Sequence, residues 1–220
     1  MQEYNVTKTE LFQKYRLNFH TLSSYISATY NPEVMANLDF DAVRDSLSDG
    51  QTASKLWVAD VLNQFLEVKT KSVGVFGGWV GILCRFLYDY VGVKSVDNIE
   101  IDGTLEKVNQ IVMGPFAQYS KFIHADMYEF DYAQNVYDVY VNTSGEHIPS
   151  LKDWIEKIPE GKIVIIQSND FTSHPQHINC VESVLELEEK ILEAKNIKNT
   201  IYRGTMQLPI YKRFMVVALT

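Results

Sequence analysis

Three glycines, Gly77, Gly78 and Gly81, follow directly on the apolar run Ser72-Val73-Gly74-Val75-Phe76, and helix-like spacing begins at Trp79. Glycine lets the backbone approach a ligand closely, and the first N–H groups of a helix carry partial positive charge. A strand, a glycine turn and a helix start therefore make a cradle for a nucleotide-type cofactor, or else a tight turn that serves packing alone. Roughly twenty residues later, where a ribose-binding acid is expected, a second run closes on Glu100-Ile101-Asp102. A carboxylate there accepts hydrogen bonds from both ribose hydroxyls and repels an added phosphate. Glu100 is the candidate; Asp102 is its neighbour, or the cap of the next helix.

Further polar residues follow later apolar runs, where ligands of a parallel sheet bind. His124-Ala125-Asp126-Met127 offers Asp126 to an adenine amino group and Met127 to the ring face. Asn142-Thr143-Ser144-Gly145-Glu146-His147 places a titratable pair after a strand. His147, with an ordinary pKa of about 6.5, is a candidate general base, and Glu146 its orienter or a substrate contact, unless both satisfy loop backbone. Gln167-Ser168-Asn169-Asp170 would face the substrate half of such a cleft. His174 and His177, with His124 and His147, raise the question of a metal. The chain has no Cys pair and no helical His-Glu-x-x-His pattern, so none is expected. It also has neither a nucleophilic Ser elbow nor a P-loop.

The elements that must position these groups follow from periodicity. Thr7-Lys8-Thr9-Glu10 reads as a capping box, with Phe12, Tyr15, Phe19, Leu22 and Ile26 at helical spacing after it. Asn31-Pro32 interrupts that helix. A second helix is expected over 40–47 and a third over 52–66, giving a helical extension over 1–71. Gln51, Ser54, Lys55 and Trp57 in the third, and Tyr25 and Tyr30 before it, would touch substrate if the extension is a lid, or pack on the sheet if it is not. From Ser72 onward, short apolar runs alternate with helices, as in a parallel sheet with crossovers. Strands are expected over 72–76, 95–101, 120–124, 137–142 and 162–167, and helices over 79–91, 104–113, 150–157 and 180–194. The runs 199–203 and 211–219 have no helix between them, which demands an antiparallel pair.

The chain has 220 residues, 46% hydrophobic and 22% charged, enough for one sizeable α/β domain with an extension. A net charge of -8 without a basic cluster argues against broad nucleic-acid binding. Cys84 and Cys180 read as free thiols of a reducing compartment. With neither a leader pattern nor a membrane-spanning run, the expected location is cytoplasmic.

A Gly-x-Gly-x-x-Gly dinucleotide template puts Phe76 at its first glycine, and a Gly-x-Gly-x-Gly template puts Trp79 at its middle one. The terminal antiparallel pair favours the second. Residues 72–220 thereby resemble the class I S-adenosylmethionine-dependent methyltransferases, Rossmann-like domains whose doubly wound, mostly parallel seven-stranded sheet ends in an antiparallel hairpin. That resemblance implies S-adenosylmethionine as cofactor and a small molecule or limited protein site as methyl acceptor. Gly77, Gly78, Trp79 and Gly81 would flank its methionine part, Glu100, Ile101 and Asp102 its ribose, Asp126 and Met127 its adenine, and Asn142 with Thr143 the floor. Val75 stands where many members carry an acid, and the Asn-Pro-Pro-Tyr motif of amino-directed DNA methyltransferases is missing. A nicotinamide-dependent oxidoreductase and a catalytically silent adenosyl-binding protein are the alternatives.

Overall fold

The computed structural model describes residues 2–16, 23–24, 26–28, 30–37, 44–65 and 71–220. Tyr25, and the Phe19, Leu22 and Phe40 positions of the first two expected helices, lie outside the described residues. The chain divides into two compact units, Thr9–Met127, and Met1–Lys8 joined to Tyr128–Thr220. The helices ahead of residue 71, where described, thus belong to the same unit as the glycine turn.

In the Thr9–Met127 unit, β2 (Ser72–Phe76), β3 (Ser95–Glu100) and β4 (Phe122–His124) pair in parallel in that order, with Val75 opposite Asn98 and Glu100 opposite His124. Val73, Val75, Val96 and Ile99 are fully buried or nearly so, and this continuous apolar lining is what a strand covered on both faces requires. Helix α1 (Lys8–Lys14) begins at the capping box, and a short α2 (Pro32–Asn37) starts on Pro32, whose fixed φ suits a first helical position. Helix α3 (Asp49–Phe65) buries Leu56, Trp57, Val58, Val61 and Leu62. After the glycine turn, α4 (Ile82–Phe86) continues as a wider-pitched turn, Leu87–Val91, stopped by Gly92 at φ 71°. Buried Arg85 holds Asp89 and donates to the carbonyls of Val112 and Met113, so it satisfies the open C-terminal end of α5 (Glu106–Met113).

The other unit holds five strands in the order β1-β7-β8-β6-β5. These are β1 (Tyr4–Thr7), β5 (Val139–Asn142), β6 (Ile163–Asn169), β7 (Asn199–Gln207) and β8 (Lys212–Leu219). β8 runs antiparallel to both β6 and β7, the expected terminal pair, and the remaining pairings are parallel. Strand β1 makes eight strands among the described residues where seven were expected: four residues ahead of a capping box are too few to show an alternation, yet they pair with Gly204–Gln207 and stack Tyr4 on Tyr202. Helices α6 (Leu151–Ile155) and α7 (Val184–Leu192) are capped by Ser150 and Ser183, whose hydroxyls accept the N–H groups of Asp153 and Glu186. Cys180, expected inside that last helix, lies ahead of it and is half-buried; it and the buried Cys84 are free thiols. No described helix is long and apolar enough to cross a membrane.

The four α3 residues singled out as substrate contacts are spoken for locally. Trp57 is fully buried, Ser54 donates to the Gly50 carbonyl, and Lys55 Nζ donates to Gln51 Oε1. Trp57→Ala is therefore expected to cost about 3–5 kcal/mol of stability in denaturant unfolding, where a substrate-binding role would lower turnover and leave stability intact.

Candidate functional site

The turn after β2 is made from left-handed residues in close succession, Gly77 (φ 68°), Trp79 (φ 53°) and Gly81 (φ 86°). Gly77 N–H donates to Ile99 O across β3, and Gly81 N–H donates to Gly78 O. Trp79 occupies the position where the template carries its middle glycine, and it adopts the backbone conformation a glycine would supply, at a cost of about 1–2 kcal/mol for an L-residue. Two side chains of β3 hold it there. Trp79 N–H donates to Glu100 Oε2 at 2.9 Å, and its carbonyl accepts from Asn98 Nδ2 at 2.9 Å. Asn98 is fully buried and its Oδ1 has no partner; a Cβ on Gly78 would lie 2.1 Å from that oxygen, so only glycine fits.

Glu100, buried at the end of β3, also accepts the Asp102 N–H through Oε1. Each oxygen spends one lone pair and keeps another, so the carboxylate remains able to accept two hydroxyl donors. Asp102 is a helix cap: its Oδ1 accepts from both the N–H and the hydroxyl of Thr104. Ile101 is exposed, Asp126 and Met127 are half-buried, and Ala125 N–H closes onto Glu100 O. Trp79, Glu100 and Asp102 are thus joined by one hydrogen-bond set at the carboxyl ends of β2 and β3, beside the separate bonds of Gly77 to Ile99 and of Gly78 to Gly81. Asn98, which holds the other side of Trp79, was missed; it stands between Asp97 and Ile99 in a strand that is only partly apolar, where nothing marks it out.

In the other unit, β5 ends on buried Asn142, whose Oδ1 accepts the Ser144 N–H. The short helical turn Gly145–His147 follows. A Cβ on Gly145 would meet the Gln167 carbonyl at 2.7 Å, so glycine lets this turn press on β6. That contact sinks Glu146, 2% exposed, against two side chains brought together by register: Asn169 of β6 pairs opposite Arg213 of β8. Glu146 Oε1 accepts from Asn169 Nδ2 at 2.6 Å and from Arg213 Nη1 at 2.8 Å. Arg213 also donates to the Thr143 carbonyl. Glu146 is therefore the buried ion-pair partner of Arg213. Gln167, Ser168 and Asn169 fall inside β6 and are buried rather than beyond it in a cleft. Arg213 was not singled out in the sequence, where it stands beside Lys212 at the start of a strand that is apolar from Phe214 onward.

The loop 171–180 is tied to this turn by the N–H groups of Ile178 and Asn179, both donating to the Glu146 carbonyl. The tie gathers histidines: ring centroids lie 4.7 Å apart for His147 and His177, and 6.2 Å apart for His147 and His174. His147 Nδ1 faces the Gln176 carbonyl at 3.2 Å and His177 Nδ1 faces the Phe171 carbonyl at 2.6 Å. A carbonyl accepts only, so each Nδ1 holds the proton and each Nε2 keeps its lone pair. Desolvation of the His147 imidazole pushes its pKa down, against the opposing pull of Glu146 and with the help of His177, although the residue as a whole is exposed. His124 belongs to the other unit, where its ring packs on Gly103.

Removing one partner of a buried ion pair leaves an uncompensated charge. Arg213→Met is expected to cost about 3–5 kcal/mol in denaturant unfolding, and the double variant Glu146→Gln with Arg213→Met to recover part of it.

No family model matches this chain, and no curated protein matches it in sequence. Solved structures do match in fold. A chain from the complex of the Haloferax volcanii Trm112 methyltransferase activator with a methyltransferase superposes with a TM-score of 0.65 at 12% identity, covering 80% of this chain and 93% of that one. Haemonchus contortus phosphoethanolamine N-methyltransferase 2, in complex with phosphomonomethylethanolamine and S-adenosylhomocysteine, gives 0.58 at 11% identity, covering 80% of this chain and 58% of that one. An S-adenosylmethionine-dependent methyltransferase of Aquifex aeolicus gives 0.56 at 14% identity over 73% of this chain and 87% of its own. The fold is that of the S-adenosylmethionine-dependent methyltransferases.

Proposed function

We propose that this chain is an S-adenosylmethionine-dependent methyltransferase acting on a small molecule or a limited protein site. The observation that carries the reading is the glycine turn after β2, held in a left-handed course by Glu100, which itself retains acceptor capacity at the end of β3. The donor set fits the group. Glu100 has lone pairs for two ribose hydroxyls, Gly77, Gly78, Trp79 and Gly81 present backbone to the methionine part, and Asp126 with Met127 follows β4 as an adenine edge and face. Ile101 and Asp102 complete the ribose side. The antiparallel β7-β8 pair and the methyltransferase fold favour this over hydride transfer with a nicotinamide cofactor.

When bound, S-adenosylmethionine supplies a methyl group on a sulfonium, open to in-line attack. The chain's own work is to align the acceptor and, where the acceptor must lose a proton, to take it. His147 is the candidate base: the Gln176 carbonyl fixes its Nδ1 proton, and Nε2 is left to receive another. Its lowered pKa keeps that nitrogen unprotonated to more acidic pH than an ordinary imidazole. Glu146 supports the base by anchoring the turn that carries it.

S-adenosylmethionine and S-adenosylhomocysteine are expected to raise the melting temperature, by about 2.7 kcal/mol of stabilisation at a hundredfold excess over Kd, and Glu100→Ala to abolish most of that shift. Stabilisation by NAD and by neither adenosyl ligand would overturn the reading. His147→Ala should keep the thermal shift and lose turnover. In wild type the acid limb of turnover against pH should fall below the ordinary imidazole value of about 6.5, because depression of the pKa moves protonation to lower pH; a limb at or above that value removes His147 as the base.

A further inference from the structure

We propose that Glu146, His147 and His177 form a binding site for one divalent transition-metal ion of the zinc class. Each of the three offers a donor atom lying within 4.8 Å of those of the other two. Bonds of about 2.0–2.2 Å to a shared ion then need the donors to close by roughly 1 Å, a side-chain adjustment within reach of the exposed His147.

Two independent features point to a ligand. First, the Glu146 carboxylate is buried, and while Oε1 is shared by Arg213 and Asn169, Oε2 has no hydrogen-bond partner. An unmatched carboxylate oxygen at such burial is costly unless a cation or donor meets it. A carboxylate bonded through one oxygen and free at the other is also how ligating carboxylates are held. Second, both imidazoles turn Nδ1 to a backbone carbonyl, the outer hydrogen bond that fixes a metal-binding tautomer and makes Nε2 the donor.

His174 is built differently. Its Nδ1 accepts the Gln176 N–H at 3.3 Å, so its neutral form carries the proton on Nε2, and it packs beside His177 with centroids 4.7 Å apart. It supports the ring and does not bind. Two imidazoles and one carboxylate leave a fourth position open, the donor set of a zinc that takes an exogenous ligand rather than a closed structural one. The site lies wholly within the unit that ends in β8 and does not rest on the adenosyl reading.

The test is calorimetric titration of zinc chloride into the chelator-dialysed full chain, with melting curves on every variant. Wild type should bind one ion per chain with a Kd in the micromolar range or tighter, and cobalt should give the visible bands of a low-symmetry site. His177→Gln and His147→Gln, each with an unchanged melting curve, should each weaken zinc by about 100-fold or more, since losses of outer partners alone cost 10–100-fold. His174→Gln should stay within about threefold of wild type, a difference of less than one kcal/mol in binding. No saturable binding below about 100 µM, binding unchanged in His177→Gln, or binding lost in His174→Gln overturns the site. Glu146→Gln is not relied upon, because it also removes the partner of Arg213.

Discussion

The buried charge of Glu146 organises one whole end of the unit in which it lies. Taking a carboxylate and a guanidinium out of water costs several kcal/mol per ion before anything is gained, so both groups must be delivered to each other accurately. Antiparallel pairing does this for Arg213 and Asn169, which register places directly opposite one another. The absence of a Cβ on Gly145 does it for Glu146, because the turn can settle onto the β6 backbone. A one-residue slip of β8 would turn Arg213 to the opposite face of the sheet and strand the carboxylate, so the ion pair fixes register as much as it contributes energy.

A second carboxylate does comparable work in the unit with the glycine turn. Glu100 spends one lone pair on the Trp79 N–H and one on the Asp102 N–H, tying the turn after β2 to the loop after β3. Asn98 secures the other side of Trp79 through its carbonyl. The left-handed Trp79 is thus kept by two side chains of the neighbouring strand, and its strain of about 1–2 kcal/mol is offset by hydrogen bonds that a glycine at that position would not need as restraints. It is the backbone N–H of Trp79 that meets the Glu100 carboxylate.

Periodicity made most of the strands and the terminal antiparallel pair legible in the sequence, because buried parallel strands are written as uninterrupted apolar runs. The glycine turn was legible for the same reason, following such a run, and Glu100 by its spacing of roughly twenty residues from that turn. β1 was hidden by its length. Helix ends shifted inward wherever a serine cap governed them: 180–194 became Val184–Leu192 because the Ser183 hydroxyl, and not the apolar period, sets the start. The bond between Glu146 and Arg213 could not be read, since the two are 67 positions apart and meet only through strand register and a close glycine approach. The loop that brings His177 beside His147 was equally silent, being held by main-chain bonds to the Glu146 carbonyl that no side-chain pattern announces.

His147 concentrates what this arrangement makes available. The Gln176 carbonyl fixes one proton on Nδ1, so all further chemistry must pass through Nε2. A proton and a metal ion compete for that single lone pair, and desolvation, by lowering proton affinity, leaves it open to more acidic pH. Exposure sets the difference between the two uses: a base needs only an acceptor within hydrogen-bond reach, whereas an ion also needs Glu146 and His177 to converge on the same point. The buried oxygen of Glu146 without a partner tips that balance, because a base at Nε2 does nothing to satisfy it and a bound cation does.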